Sequence, residues 1–351
     1  MLPPTVADIE ARAAELLEPG PLGYYVGGAG AERTLADNLD AWASHRLLPR
    51  VLVDVADVST TTTVLGTEVS MPVLVAPVAL QRMAHPDGEP GMARAADAAG
   101  TVMTLSTLAS ATPAEVAAAA PGAPRWYQLY MARDRGVSMS LVEQAVDAGF
   151  TAIVVTVDAP VPATRDRDLR TGFRVPDHID MPAVTAALGR SAGVSVAEFF
   201  SLVDPAFTWA QLESFVADCP LPVLVKGVHA AADAALAVEH GVSGVIVSNH
   251  GGRQLDGVPG TARLLPAVVE AVDGRVEVLV DGGIRRGNDV AVALALGARA
   301  VLMGRPMLWG LTVGGEAGAR HVLDLVRAEL ATTLALLGCT SPDDVTAAYL
   351  A

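Results

Sequence analysis

The chain has 351 residues, 51% of them apolar, and a formal net charge of −15. That length suits an α/β barrel with insertions, since the bare fold takes about 250 residues. The negative charge argues against nucleic acid and against anionic membrane surfaces as partners, and no uncharged apolar run reaches the roughly 18 residues that a membrane span needs. The start, Met1-Leu2-Pro3-Pro4-Thr5, lacks the basic and apolar stretches of a secretion signal. Cys219 and Cys339 are far apart and form no CxxC or metal-ligand pattern. A reduced, cytoplasmic protein without a metal centre is expected. Of the 24 basic residues, 23 are arginine and one, Lys226, is lysine. That lysine is either a chance retention or a place where a compact ammonium is wanted and a guanidinium will not serve; composition favours neither.

Residues 1–45 read as a helical cap. Eight short apolar runs follow: Val73 to Pro77, Val102 to Ser106, Arg125 to Tyr130, Ala152 to Asp158, Val223 to Lys226, Gly244 to Asn249, Glu277 to Asp281 and Ala300 to Gly304. Helical patterns separate them, among them Pro90 to Ala99, Pro113 to Ala120, Val137 to Ala148, Ala231 to Glu239 and Asn288 to Leu296. Continuous apolar strands alternating with helices mean parallel βαβ units buried on both faces. Eight of them predict closure into a (β/α)8, or TIM, barrel spanning residues 1–351 as one domain. A dinucleotide-binding fold is the rival, but Gly28-Ala29-Gly30 lacks the third glycine and follows no convincing strand. Residues 172–208 form an irregular stretch after the fourth strand, longer than an ordinary βα loop, and are expected to act as a lid.

In such barrels chemistry sits at the C-terminal ends of the strands. Taken in order those ends are Ala76-Pro77, Ser106, Gln128 and Tyr130, Thr156 and Asp158, Lys226, Ser248 and His250, Asp281, and Gly304-Arg305. Each is ordinary alone; together they outline one pocket. The last two ends, Asp281-Gly282-Gly283-Ile284-Arg285 and Gly304-Arg305-Pro306, offer exposed backbone N–H groups and forked cations where these barrels hold phosphate. Ser248-Asn249-His250-Gly251-Gly252-Arg253-Gln254 sets a base beside a carboxylate clamp. A base of this kind needs an orienting carboxylate, for which Asp158 is the candidate.

These motifs resemble the FMN-dependent 2-hydroxy acid oxidase and dehydrogenase family, most of all its glycolate oxidase-like members. The similarity runs from Tyr24-Tyr25 to about Cys339. It includes Met71-Pro72-Val73 through Ala84-His85-Pro86, Gln128-Leu129-Tyr130, Thr156-Val157-Asp158, Leu224-Val225-Lys226-Gly227 and Asp281-Gly282-Gly283. The resemblance implies FMN as cofactor and a soluble homo-oligomer, a tetramer or octamer. It implies that Tyr24, Arg165 and Arg253 hold the substrate carboxylate. Tyr130 would hydrogen-bond the substrate, and His250 would be the base paired with Asp158. Lys226 would sit near N1 and O2 of the flavin. Ala76, Pro77 and Val78 would face its ring. Ser106, Gln128, Thr156 and Ser248 would bind the ring or ribityl chain. Asp281, Gly282, Gly283, Arg285, Gly304 and Arg305 would complete the ribityl and phosphate site. Leu108 stands where glycolate oxidase-like members often carry tryptophan, which implies room for a substrate larger than glycolate.

The physics agrees with these roles. A forked guanidinium recognises a planar carboxylate in a way an ammonium cannot. A fixed ammonium stabilises negative charge as it develops on a flavin being reduced. The leading expectation is an (S)-2-hydroxy acid oxidase that returns electrons to O2 and releases hydrogen peroxide. Its rivals are a mandelate- or lactate-type dehydrogenase using a quinone or another acceptor, and a lactate monooxygenase. From other classes come a barrel enzyme for a phosphorylated substrate without flavin and a non-catalytic FMN-binding protein.

Overall fold

The computed structural model describes residues 2–351; Met1, the first residue of the expected cap, lies outside them. The chain begins with three helices, α1 (Val6–Leu16), α2 (Pro19–Val26) and α3 (Arg33–Ser44). Thr5 starts α1 by accepting the Asp8 N–H at its hydroxyl, satisfying one orphan donor of the first turn. A short antiparallel hairpin follows, β1 (Thr62–Val64) and β2 (Thr67–Val69), which the sequence did not announce. Then come β3 (Val73–Val75), α4 (Gly88–Ala99), β4 (Met103–Leu105), α5 (Pro113–Ala119), β5 (Arg125–Leu129), α6 (Arg135–Asp147) and β6 (Ala152–Thr156). The next segment holds α7 (Asp166–Thr171), α8 (Pro182–Ala187), α9 (Val196–Leu202) and α10 (Trp209–Asp218). The chain ends with β7 (Val223–Val228), α11 (Ala231–Glu239), β8 (Gly244–Val247), α12 (Thr261–Val272), β9 (Glu277–Val280), α13 (Gly287–Ala295), β10 (Ala300–Met303) and α14 (Arg305–Leu337).

Strands β3 to β10 close into one parallel barrel, with β10 pairing both β9 and β3. The eight predicted runs are these eight strands. Among the described residues no strand precedes Gly28-Ala29-Gly30, which join α2 to α3, so the dinucleotide-binding rival fails. Residues 172–208 are not the irregular loop expected: α8 and α9 lie within them. Both helices are shorter than two full turns or barely reach them, too short to show a clear helical period in the sequence.

Side chains alternate across each strand, and the two faces belong to different cores. The outer face packs against the helices, while Leu74, Trp126, Val154, Leu224, Ile246, Leu279 and Leu302 fill the barrel interior. Val64 and Val69 of the hairpin belong to that interior cluster and close one end of it. The barrel is therefore a packed core rather than a pore, and only its other end has room for a ligand. Helix α14 is broken at Gly314 and Gly315, the latter with φ of 57°.

Candidate active site

The period of two explains the ring of polar groups at the open end. Two residues beyond each interior-filling side chain, the next inward position is reached: Leu74 leads to Ala76, Trp126 to Gln128, Val154 to Thr156, Leu224 to Lys226, Ile246 to Ser248, Leu279 to Asp281 and Leu302 to Gly304. Thr156 and Lys226 are direct register partners. The floor of the cavity is thus the last inward layer of the barrel. It is cross-bonded: Gln128 donates to the Thr156 hydroxyl at 3.0 Å and accepts from the Thr107 N–H at 3.1 Å. Lys226 donates to the Ser248 hydroxyl at 2.8 Å and pairs with Asp281 at 3.1 Å. Both members of that pair are buried, with side-chain exposures of 5% and 10%. Removing either alone would strand a buried charge, at a cost of about 3–5 kcal/mol.

His250 stands on the rim with φ of 58°, followed by Gly251 and Gly252, also left-handed. A histidine held there carries roughly 1–2 kcal/mol of backbone strain, the kind that persists where surrounding structure over-determines it. The surroundings are tight, since a Cβ on Gly252 would come within 2.7 Å of the Leu35 nitrogen. The imidazole Nδ1 lies 3.0 Å from Asp158 Oδ1, and Nε2 lies 3.4 Å from the Tyr130 hydroxyl. Burial of His250 disfavours the imidazolium and outweighs the pull of Asp158, so its pKa falls below the ordinary value. Burial raises Asp158, but His250 and then Lys226 outweigh it, so that carboxyl stays below its usual range. Neutral imidazole beside ionised carboxylate is the arrangement of a base ready to take a proton. Asp158 fits because β7 bulges at Gly227, whose φ is 107° and whose added Cβ would lie 2.6 Å from the Asp158 Cβ.

The wall facing His250 carries the cations. The Arg253 guanidinium sits 4.9 Å over the Tyr24 ring and donates to the carbonyls of Tyr24 and Gly27. Burial, then Arg165, pushes its pKa down to about 10, which leaves it charged at neutral pH. Arg165 lies 5.7 Å from the same ring, and its buried Nε has no hydrogen-bond partner among the described residues. Tyr130 is driven upward by burial and so remains a hydroxyl donor.

Toward the other end lie Gly282, Gly283, Gly304, Arg285 and Arg305. Gly283 has no room for a side chain: a Cβ would meet the Asn38 carbonyl at 2.3 Å. Asn38 and Asn249 exchange two buried hydrogen bonds, at 2.9 and 2.8 Å, and Trp42 donates to the Gly282 carbonyl at 2.7 Å. Helix α3 of the cap thereby fixes the glycine loop. Arg285 donates to the Ile284 carbonyl and has Glu10 at 3.8 Å, which leaves N–H groups for an anion. Arg305 is differently placed. It donates to the carbonyls of Tyr25, Val26, Gly27 and Gly251, joining the end of α2 to the His250 loop.

One cavity is lined by Tyr24, Ala76, Pro77, Val78, Ser106, Leu108, Gln128, Tyr130, Thr156, Arg165, Lys226, His250, Arg253, Asp281, Gly282, Gly283, Arg285, Gly304 and Arg305. Of the expected site residues, Asp158 and Ser248 stand behind its wall, holding His250 and Lys226. The sequence missed Val196 and Phe200, which α9 brings to the wall, and Gln254, Ile284 and Leu308. The adjacent aromatics Phe199 and Phe200 were the available signal; both rings lie 5.8 Å from Tyr130. Nothing in the sequence marked Asn38.

Residues 13–351 match the model of a family described as FMN-dependent dehydrogenase. The chain is 44% identical to an L-lactate oxidase of Nostoc sp., over 93% of this chain and 92% of that protein. It is also 44% identical to a glycolate oxidase of Spinacia oleracea, over 99% and 95%. Among solved structures, a mandelate oxidase with (S)-4-hydroxymandelic acid superposes with a TM-score of 0.91 at 43% identity, covering 99% of this chain and 98% of the other. By its sequence and by the order of its barrel motifs, the chain belongs to the FMN-dependent dehydrogenase family.

Proposed function

We propose that the protein is an (S)-2-hydroxy acid oxidase: it converts the substrate's CH–OH to a ketone and passes two electrons through FMN to O2, giving a 2-oxo acid and hydrogen peroxide. The observation that carries this reading is that His250, paired with Asp158, lines one cavity together with Arg165 and Arg253. Relatives named L-lactate oxidase, 2-hydroxyacid oxidase and glycolate oxidase support oxygen as the acceptor.

The donor set fits FMN. Asp281 Oδ1 is buried on the floor with no partner among the described residues, an acceptor waiting for a hydroxyl. The glycine loop at Gly282 and Gly283 lets a chain pass close to backbone, and Arg285 supplies a cation beyond it. In this reading Ala76, Pro77 and Val78 face the ring, while Ser106, Gln128 and Thr156 meet its polar edge, with Ser248 steadying Lys226 from behind. Asp281 meets the ribityl chain, and Gly282, Gly283, Arg285, Gly304 and Arg305 surround the phosphate. When bound, FMN would supply the two-electron acceptor for the substrate and the route of those electrons to oxygen.

The chain's own residues do the rest. Arg165 and Arg253 clamp the carboxylate, with Tyr24 between them, so the carbon bearing the hydroxyl is held before His250. His250 accepts the proton at Nε2, and Asp158 stabilises the imidazolium at Nδ1. The Tyr130 hydroxyl orients the substrate oxygen. Lys226 keeps a fixed ammonium on the floor, stabilising negative charge that develops beside it. Leu108, Val196 and Phe200 surround the substrate side chain, and residues 172–208 serve as a lid over it. The cap, barrel and lid work as one domain, assembled into a homotetramer or octamer.

The test is to mix the FMN-loaded protein with 2-hydroxy acids without oxygen and follow flavin absorbance, then admit air and measure oxygen uptake and peroxide. Bleaching followed by peroxide release is expected. Bleaching that air does not reverse would move the protein to a dehydrogenase with another acceptor. No helix among the described residues is long and apolar enough to cross a membrane.

A further inference from the structure

Arg165 and Arg253 stand on different elements, Arg165 just before α7 and Arg253 in the loop after β8. One short loop of the cap, residues 27–32 between α2 and α3, touches the backbone beside both. Arg253 donates to the Gly27 carbonyl at 2.8 Å. The Ala29 N–H donates at 2.8 Å to the carbonyl of Gly252, next to Arg253 in the chain. On the other side the Gly30 N–H donates at 3.1 Å to the carbonyl of Thr164, next to Arg165.

Glu32 ends this loop and adds a charged contact. Its carboxylate accepts a forked pair of hydrogen bonds from Arg167, from Nε at 2.6 Å and from the second guanidinium nitrogen at 2.8 Å. One of its oxygens also accepts the Gly28 N–H at 3.0 Å. Glu32 precedes α3 yet makes no side-chain capping bond to it. Its φ is 62°, a left-handed backbone that a residue other than glycine keeps where its surroundings hold it. The Arg167 guanidinium holds the Glu32 carboxyl below its usual range, so the pair is charged at neutral pH. Arg167 belongs to α7, a six-residue helix with no buried side chain. Among the described residues the bond to Glu32 is the one ion pair that joins α7 to another element. So short a helix, without apolar burial, needs such a tether to keep its place.

On the reading of Arg165 and Arg253 as the clamp for the substrate carboxylate, we propose that Glu32 and Arg167 are positioning residues for that clamp. Their forked ion pair fixes α7 against the cap and so sets where the Arg165 guanidinium stands relative to Arg253. Two forks grip one carboxylate only when both are correctly placed. Neither Glu32 nor Arg167 lines the cavity, so losing the pair weakens the hold on the carboxylate and leaves proton transfer to His250 intact.

Glu32→Gln and Arg167→Met test the pair in the FMN-loaded protein. Each should raise KM for a 2-hydroxy acid by about fivefold and leave kcat within about twofold. The double variant should also stand at about fivefold, because either change alone opens the pair. Pyruvate and phenylglyoxylate, a small and a bulky 2-oxo acid, are titrated calorimetrically and should bind more weakly in each variant by the same factor. A fall in kcat with KM unchanged would overturn the proposal. So would a double variant at about 25-fold, the product of two independent effects, or unchanged 2-oxo acid affinity in both single variants beside a parent that binds. Weakened 2-oxo acid binding in the variants of a protein that oxidises no 2-hydroxy acid would sink the oxidase reading and leave the pair's role standing. A parent that binds neither 2-oxo acid would remove the clamp and the role of the pair with it.

Discussion

The floor and the wall of the active-site cavity are built in different ways. The floor is the last inward layer of eight parallel strands, and its side chains hydrogen-bond one another: Gln128 to Thr156, Lys226 to Ser248 and Asp281. The wall at Tyr24, Arg165, Val196 and Phe200 comes from the cap and from the short helices after β6. There the contacts are mainly ring against ring or cation against ring. A cross-bonded floor holds charges to fractions of an ångström, as charge stabilisation requires. A loosely bonded wall can change shape with its ligand, as substrate selection requires. Chemistry should therefore fail when the floor and rim are altered, and selectivity should shift when the wall is.

His250→Ala should have the largest effect. FMN should stay bound while the rate of flavin reduction by substrate falls by about 10⁴-fold, the upper range for a general base. Retained turnover would remove His250 from the mechanism. Asp158→Asn comes next, with a fall of about 10²–10³-fold. It also tests the sign of the electrostatics. Burial lowers the His250 pKa and Asp158 pulls it back up. The acid limb of kcat/KM in the parent should thus lie below the ordinary histidine value of about 6.5. Loss of the carboxylate charge should move it to still lower pH while the plateau drops. A limb that moved upward would mean that Asp158 does not act through its charge.

Lys226→Arg keeps the net charge but replaces a compact ammonium with a planar fork on a crowded floor. Folding should survive, and stopped-flow measurement should show flavin reduction slowed by about 10²-fold. Normal reduction would show that any cation suffices, and the floor would not be the fixed element described above. Phe200→Ala should have the smallest effect on chemistry. Rates with a small 2-hydroxy acid should hold, while the preference between bulky and small substrates shifts by about tenfold. If Phe200→Ala instead stopped flavin reduction with every substrate, wall and floor would not be separable.

The floor was legible because its rule is local. An apolar run alternates inside and out with a period of two, and the first polar inward residue marks where the packed core ends. That rule picks out Gln128, Thr156, Lys226, Ser248 and Asp281 from the sequence, and the glycines after Asp281 declare a backbone approach. The wall was not legible. Helices α8 and α9 are too short to show a period, and Phe200 meets Tyr130 only because the segment folds back across the rim. Asn38 and Asn249 are 211 positions apart, and no pattern in either neighbourhood announces their pairing.

By itself the sequence determined the barrel, the strand-end ring and the chemistry of its charges, because strand alternation and side-chain type are properties of adjacent residues. Only the tertiary structure decided that Asp158 and Ser248 stand behind the cavity rather than on it. It also decided that Arg305 staples backbone while Arg285 keeps free donors. Those outcomes depend on which distant carbonyls and side chains arrive within hydrogen-bond reach, and that is set by how the cap, the barrel and the segment after β6 pack together.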